Sequence, residues 1–271
     1  MKAIDYRIER APDLAGVIDA LQADPFAKPI AGGQSLGAML NLRLAQPECV
    51  IDLAGLDTLK GMHIDGDDMV IGPLVTHATL EDGRYEDATG GMLAHVAGGI
   101  AYRAVRNSGT IGGSLCHADP AADWIAATAA LGAVFEIQGP DGTRRLAARE
   151  FMTSAFETAL AEAEVLSAIR VPALGDDARW SYRKFCRKTG EFALAIVSGV
   201  ADARTGIERL VFSALDGAPV VIERAGLFEE LAETSARDAL LDDELLSLTG
   251  HRRALHAGLL ADVVADLRGI A

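Results

Sequence analysis

Two short stretches, AGGQSL at 31–36 and TIGGSL at 110–115, set the strongest constraint on how this chain can fold. Each places adjacent glycines beside hydroxyl or amide side chains. Glycine lacks a β-carbon, so backbone at such a pair can pass close to another surface and aim successive N–H groups at it. Phosphate oxygens, anionic and able to accept several hydrogen bonds, suit such a loop. Gln34, Ser35, Thr110 and Ser114 add neutral polar groups. Neither stretch has the spacing of a Rossmann GxGxxG, and no GxxxxGK followed by Ser or Thr occurs, so those two phosphate-binding frameworks drop out. On the residues alone two readings stand: a pair of tight turns, or two loops sharing one ligand.

The rest of the chain narrows the chemistry. A net charge of -14 over 271 residues, with a pI near 4.8, argues against nucleic-acid binding and against anionic membranes. No apolar run approaches the roughly 18 residues of a membrane span, and the opening MKAIDYRIER has no long apolar core of a signal peptide. A soluble, cytoplasmic chain is the expectation. Cys49, Cys116 and Cys186 are far apart and form no CxxC pair, so they neither make a metal site nor supply the four thiolates of an iron–sulfur cluster. Any redox chemistry then belongs to an organic cofactor.

Strand and helix patterns alternate throughout, which predicts an α+β fold. Residues 4–8 read as a strand, and Leu14, Val17, Ile18 and Leu21 lie on one helical face. Residues 28–31 run extended into the first glycine stretch; a helix (LGAMLNLRL) and a buried strand (ECVIDL) follow. The alternation over 59–72 turns at Asp65-Gly66, a hairpin signal. A weak helix over 91–106 leads to RNSGTIGGSL, whose turn residues predict irregular structure. A buried helix then opens with Asp119 as N-cap and Pro120 at its first position. Strands at 133–138 and 164–171, extended runs at 179–187, 193–203 and 207–214, and helices near 223–233, 236–247 and 251–268 complete the pattern. In the last helix Leu255, Leu259, Val263 and Leu267 form one stripe.

Single residues near the second stretch carry two readings each. Asp119 is a helix cap or a ligand contact. Asp123, one turn into the expected helix, either complements the helix dipole or accepts hydrogen bonds from ribose or ribityl hydroxyls. His117 is a core or bystander histidine, or a ligand contact. The basic run Arg179, Arg183, Lys184, Arg187 and Lys188 is a solvated strand face, or it flanks a cofactor or docks an anionic partner. No Ser/His/Asp or Cys/His constellation stands out, so no catalytic side chain is assigned.

KPIAGGQSLGAMLNLRLAQPECVIDL (28–53) and VRNSGTIGGSLCHADPAAD (105–123) resemble the two FAD motifs of the flavoprotein medium subunits of molybdenum hydroxylases, the family of carbon monoxide, xanthine and nicotine dehydrogenase medium subunits. ALAEAEVLSAIRVP (159–172), WSYRKFCRKTGEFALA (180–195) and FSALDGAPV (212–220) continue the resemblance nearly end to end. It implies a vanillyl-alcohol-oxidase-like (PCMH-type) FAD-binding fold of two α+β subdomains, 1–58 and 59–172. A C-terminal domain over 173–271, a three-stranded sheet with helices, would pack beside them. Pro29, Ile30, Ala31, Gly32, Gly33, Gln34, Ser35 and Leu36 would wrap the FAD pyrophosphate. Gly109, Thr110, Gly112, Gly113 and Ser114 would approach from the other subdomain, with His117 nearby. Ile100 would pack on the cofactor, Asp123 would bond its hydroxyls, Leu166 and Lys184 would lie near the flavin, and Tyr182 would border its ring.

The same resemblance implies an electron-transfer role in a heteromeric oxidoreductase. A large molybdopterin subunit would oxidise the substrate and a small subunit with [2Fe–2S] clusters would relay electrons. This chain would pass them through FAD to an external acceptor, within a dimer of heterotrimers. The alternatives are a self-contained FAD-dependent oxidase or reductase, and a non-enzymatic nucleotide-binding module. The sequence departs from the family pattern at Ser114, where TIGGN is usual, at Val105, and in RKTGEF, where an RxGDF form is commoner. The cysteine-bearing insertion of some members is absent.

Overall fold

The computed structural model describes residues 2–269. Its first part is a small parallel sheet in the order β1-β3-β2, formed by Arg7–Glu9 (β1), Lys28–Ile30 (β2) and Cys49–Asp52 (β3). Helices Leu14–Ala23 (α1) and Leu36–Leu42 (α2) link the strands. α1 starts where the Asp13 carboxylate accepts from Gly16 N at 2.9 Å, and it buries Val17, Ile18 and Leu21. The first strand lies at 7–9, slightly beyond the expected 4–8.

A five-stranded antiparallel sheet follows, ordered β4-β5-β10-β6-β7. It comprises Met62–Asp65 (β4), Asp68–Ile71 (β5), Val134–Gly139 (β6), Gly142–Ala147 (β7) and Val165–Pro172 (β10), with a small hairpin, Met152–Ser154 (β8) and Glu157–Thr158 (β9), inserted before the last. β4 and β5 pair with Asp65 opposite Asp68, so Gly66 and Asp67 make the hairpin turn, and Gly66 takes φ +64°. Helices His77–Glu81 (α3), Met92–Gly98 (α4), Arg103–Arg106 (α5), Ile111–His117 (α6), Asp123–Leu131 (α7) and Ala148–Phe151 (α8) belong to this part. Every residue of α7 after Asp123 is buried. The single helix expected over 91–106 is two, broken at Ala101, which takes φ +41°.

The C-terminal part is an antiparallel sheet of Arg179–Phe185 (β11), Ala195–Asp202 (β12), Ile207–Ser213 (β13) and Val220–Glu223 (β14), with helices Leu227–Glu230 (α9), Thr234–Glu244 (α10) and Gly250–Arg268 (α11). It has four strands where three were expected; Val220–Glu223 pairs with β13 and shortens the helix expected near 223–233. The buried line of α11 runs through His256, Leu260, Val263, Val264 and Leu267, rotated from the expected stripe, with Leu255 and Leu259 only half-buried. The largest core is shared. Trp124, Phe135 and Ile169 from the second part pack with Ile196, Val200 and Val211 from the third.

Two expectations around the second glycine stretch are corrected. TIGGSL is helical rather than irregular: the Thr110 hydroxyl accepts from Gly113 N at 3.1 Å, capping α6. The next helix begins at Asp123, not at Pro120, and Asp119 does not cap it. The Asp119 carboxylate instead accepts from Ala121 N at 2.9 Å. The Pro120 carbonyl accepts from Ala214 N and from Ser213 Oγ, both at 2.9 Å, and this bond to the distant β13 end holds the segment out of the helix.

Candidate functional site

From β2 the chain turns through residues 31–35 into α2. Pro29 is exposed on β2, and the Ile30 side chain lies under Gly33, which takes φ +68°. Gly37 N donates to Gly33 O at 3.0 Å and Met39 N to Ser35 O at 3.1 Å, anchoring the turn to the helix above it. Among the described residues none accepts a hydrogen bond from the backbone N–H of Gly32, Gly33, Gln34, Ser35 or Leu36. The Gln34 amide folds back to Gly32 O at 3.2 Å, and the Ser35 hydroxyl makes no cap. Successive unspent N–H groups on one loop form a cradle for an anionic oxygen.

The second stretch has similar residues but different hydrogen bonding. Gly109 N donates to Val105 O (2.7 Å), Ile111 N to Val75 O (3.0 Å), Gly112 N to Pro73 O (2.9 Å) and Ser114 N to Thr110 O (3.0 Å), while Gly113 N is held by the Thr110 hydroxyl. Its glycines serve close packing. A β-carbon at Gly112 would sit 2.4 Å from Pro73 Cβ, and one at Gly109 would sit 2.9 Å from the His77 ring. The two stretches also meet: a β-carbon on Gly113 would lie 3.6 Å from Ala31 Cβ. The first loop therefore carries the free donors and the second provides the surface beside it.

Beneath the second stretch lies a group the sequence reading missed. Trp124 Nε1 donates to His77 Nδ1 at 3.0 Å, which places the ring proton on Nε2, and His77 N donates to Gly109 O at 2.9 Å. Burial, with the Arg106 charge adding to it, pushes the His77 pKa down to about 4, so the ring is neutral at pH 7. Arg106 itself was also missed. It grips both oxygens of Glu81 at 2.8 Å and donates to Ile100 O (2.8 Å) and Ala101 O (3.3 Å), fixing the turn that carries Ile100. His77 stands outside the quoted blocks, and Arg106, although inside VRNSGTIGGSL, has no role that its neighbours in the block reveal; their partners Trp124 and Glu81 lie 47 and 25 residues away.

A second cluster forms where β11 passes the start of α7. Tyr182 and Lys184, two apart on one strand face, both reach Asp123 Oδ1, the phenol at 2.8 Å and the ammonium at 2.6 Å. Lys184 Nζ also donates to Gly99 O at 2.8 Å, beside Ile100. Tyr182 is only 6% exposed and packs in the shared core. Burial first, and Asp123 second, push its pKa well above that of a free phenol, so the hydroxyl stays protonated and donates.

The other candidates are spread around these two centres. Ser114 is half-buried on α6, and His117, also half-buried at its end, packs against Phe156 with ring centroids 5.3 Å apart. Leu166 is buried in the shared core at an irregularity in the pairing of β10 with β6. The basic run is largely tied down by its own chain. Arg183 binds both oxygens of Asp266 (2.9 and 2.8 Å), Arg179 donates to Leu267 O, and Arg187 lies 3.5 Å from Glu191. Lys184 alone of the five points to Asp123.

A family model described as "FAD binding domain in molybdopterin dehydrogenase" matches residues 4–174, which include the loop donors, the second stretch and Asp123. The chain belongs to this family. Similarity to individual members extends the match beyond that domain. The nicotine 6-hydroxylase medium subunit of Paenarthrobacter nicotinovorans is 34% identical over 238 residues, covering 87% of this chain and 82% of that one. The carbon monoxide dehydrogenase medium chain of Hydrogenophaga pseudoflava is 40% identical over 187 residues, covering 68% of this chain and 65% of that one. A solved structure of carbon monoxide dehydrogenase from H. pseudoflava, in a form lacking the Mo-pyranopterin moiety, superposes with a TM-score of 0.89 at 28% identity, covering 100% of both chains. FAD is thus the cofactor of this family member, which is the flavoprotein component of an oxidoreductase. Among the described residues no helix is long and apolar enough to cross a membrane.

Proposed function

We propose that this chain is the electron-transfer subunit of a heteromeric molybdenum hydroxylase, taking electrons from a small [2Fe–2S] subunit and delivering them to an external acceptor. A large molybdopterin subunit completes the assembly, as a dimer of heterotrimers in the cytoplasm. The observation that carries this reading is the run of unspent N–H groups from Gly32 to Leu36, on a chain whose family is defined by FAD binding.

The residues present fit FAD. The N–H groups of 32–36 donate to its pyrophosphate, with Pro29, Ile30 and Ala31 shaping the approach. Gly109, Thr110, Gly112, Gly113, Ser114 and His117 line the neighbouring wall. Asp123 accepts from a cofactor hydroxyl, Ile100 packs on the cofactor, and Lys184 brings a positive charge held in place by Asp123 and Gly99 O. Leu166 contributes through the backbone of its irregular strand segment, since its side chain is in the core. When bound, FAD supplies the electron-carrying chemistry. The reading keeps a division at 1–58, 59–172 and 173–271, which the three separate main sheets support.

The test is purification of the native complex with metal and flavin analysis. Molybdenum, iron and FAD are expected together with two further subunits. FAD without either metal, and its reduction by a substrate added to the chain alone, would establish a self-contained flavin enzyme instead. A chain that binds no FAD would overturn both.

A further inference from the structure

We propose that Tyr182 is a positioning residue: it fixes the Asp123 carboxylate so that one oxygen is kept for this chain and the other is presented to the cofactor. The inference rests on the reading that FAD occupies this site. It also replaces the expectation that Tyr182 borders the flavin ring, because the tyrosine ring is buried in the core shared by the second and third parts.

Asp123 Oδ1 accepts two hydrogen bonds, from Tyr182 OH and Lys184 Nζ, which fill its two lone-pair directions. Oδ2 accepts none among the described residues. The carboxylate is not spent on its own helix either: Asp123 is the first residue of α7, and no α7 N–H donates to it. The side chain is 12% exposed, and among the described residues no buried side-chain polar atom is left without a partner, so the free oxygen opens outward rather than into the core.

The two donors differ in what they can fix. Lys184 is a flexible stem whose ammonium is shared with Gly99 O, so it can follow the carboxylate. Tyr182 is a rigid ring locked in the core, in an edge-to-face arrangement with the His95 ring at 6.4 Å between centroids. Its hydroxyl therefore defines where Oδ1 must lie, and through it the direction of Oδ2. A cofactor hydroxyl then meets a pre-oriented acceptor and need not order it on binding.

The test uses the full chain, stripped of FAD and retitrated by flavin fluorescence, with the unfolding midpoint of the FAD-free form measured in parallel. Tyr182→Phe keeps the ring and removes the hydroxyl. It is expected to weaken FAD binding about tenfold, the loss of one well-placed hydrogen bond to a charged group. Asp123→Ala should weaken binding at least as much, and the double variant no more than Asp123→Ala alone, because Tyr182 acts through Asp123. Unchanged affinity in Tyr182→Phe, or losses that add in the double variant, overturn the proposal. A lowered unfolding midpoint with unchanged affinity shows a purely structural tyrosine and overturns it too. Asp123→Ala with full affinity removes Asp123 from the cofactor site and the proposal with it, leaving FAD binding by the chain intact.

Discussion

The backbone of Gly32 runs so close to that of Ser108 that a β-carbon at position 32 would stand 1.9 Å from the Ser108 carbonyl oxygen. The clash is with backbone on both sides, since Gly109 Cα would be 2.9 Å away, so no side-chain rotation relieves it. Gly32→Ala is therefore expected to push the two glycine stretches apart, costing about 1–3 kcal/mol of stability and weakening FAD binding by at least about tenfold. Gly258→Ala is the control. It lies in the interior of α11 with open space around its β-position, and it should stabilise the chain by roughly 1 kcal/mol while FAD binding stays constant. Thermal unfolding and flavin titration read both.

His77 predicts a pH dependence of stability. Its folded pKa is about 4, against 6.5 for an unperturbed histidine, so between those values the unfolded chain binds a proton that the folded chain refuses. Stability then rises with pH across that window. The contribution is complete above pH 6.5, declines as the pH falls and is lost by pH 4, about 3 kcal/mol in all. Urea unfolding at pH 7 and at pH 5.5, where ordinary carboxylates are still ionised, confines the comparison to histidines, and His77→Gln separates His77 from the other five. The chain should lose about 1 kcal/mol between the two pH values, and His77→Gln should flatten the slope.

Lys184 bears on the cofactor's electronics rather than on folding alone. Replacing it with alanine removes a positive charge and frees Asp123 from its 2.6 Å ion pair, leaving the site more negative. Added electrons become harder to hold, so the FAD reduction potential of Lys184→Ala is expected to fall by about 30 mV or more, a tenfold change for a two-electron couple. A potential equal to that of the unaltered chain would remove Lys184 from the flavin environment.

Arg106 holds the turn at Ile100 and Ala101 with one fork and Glu81 with the other. Lysine keeps the charge but has no planar fork to satisfy both. Arg106→Lys should cost about 1–3 kcal/mol and speed amide hydrogen exchange through residues 99–103 more than elsewhere. Uniform exchange rates with an unaltered melting temperature would show that Ala101 holds its left-handed conformation without this support.

The sequence alone carried the elements whose cause is local. The spacing of Leu14, Val17, Ile18 and Leu21 specifies α1, and Asp65-Gly66 specifies its hairpin, because helical faces and turn conformations are decided by neighbours in the chain. The glycine stretches and the blocks around them likewise marked the FAD family. Their division of labour is not local. AGGQSL keeps its N–H groups from Gly32 to Leu36 free, whereas in TIGGSL those of Ile111, Gly112, Gly113 and Ser114 are spent, and the long-range part of the difference lies in Pro73 and Val75, which accept from Gly112 and Ile111. The start of α7 moved to Asp123 because Ser213 and Ala214 take the Pro120 carbonyl. Tyr182 lies 59 residues from the Asp123 it bonds. A residue's type fixes which hydrogen bonds it can make. Which of them it makes, and so which remain for a ligand, depends on groups that only folding brings within reach.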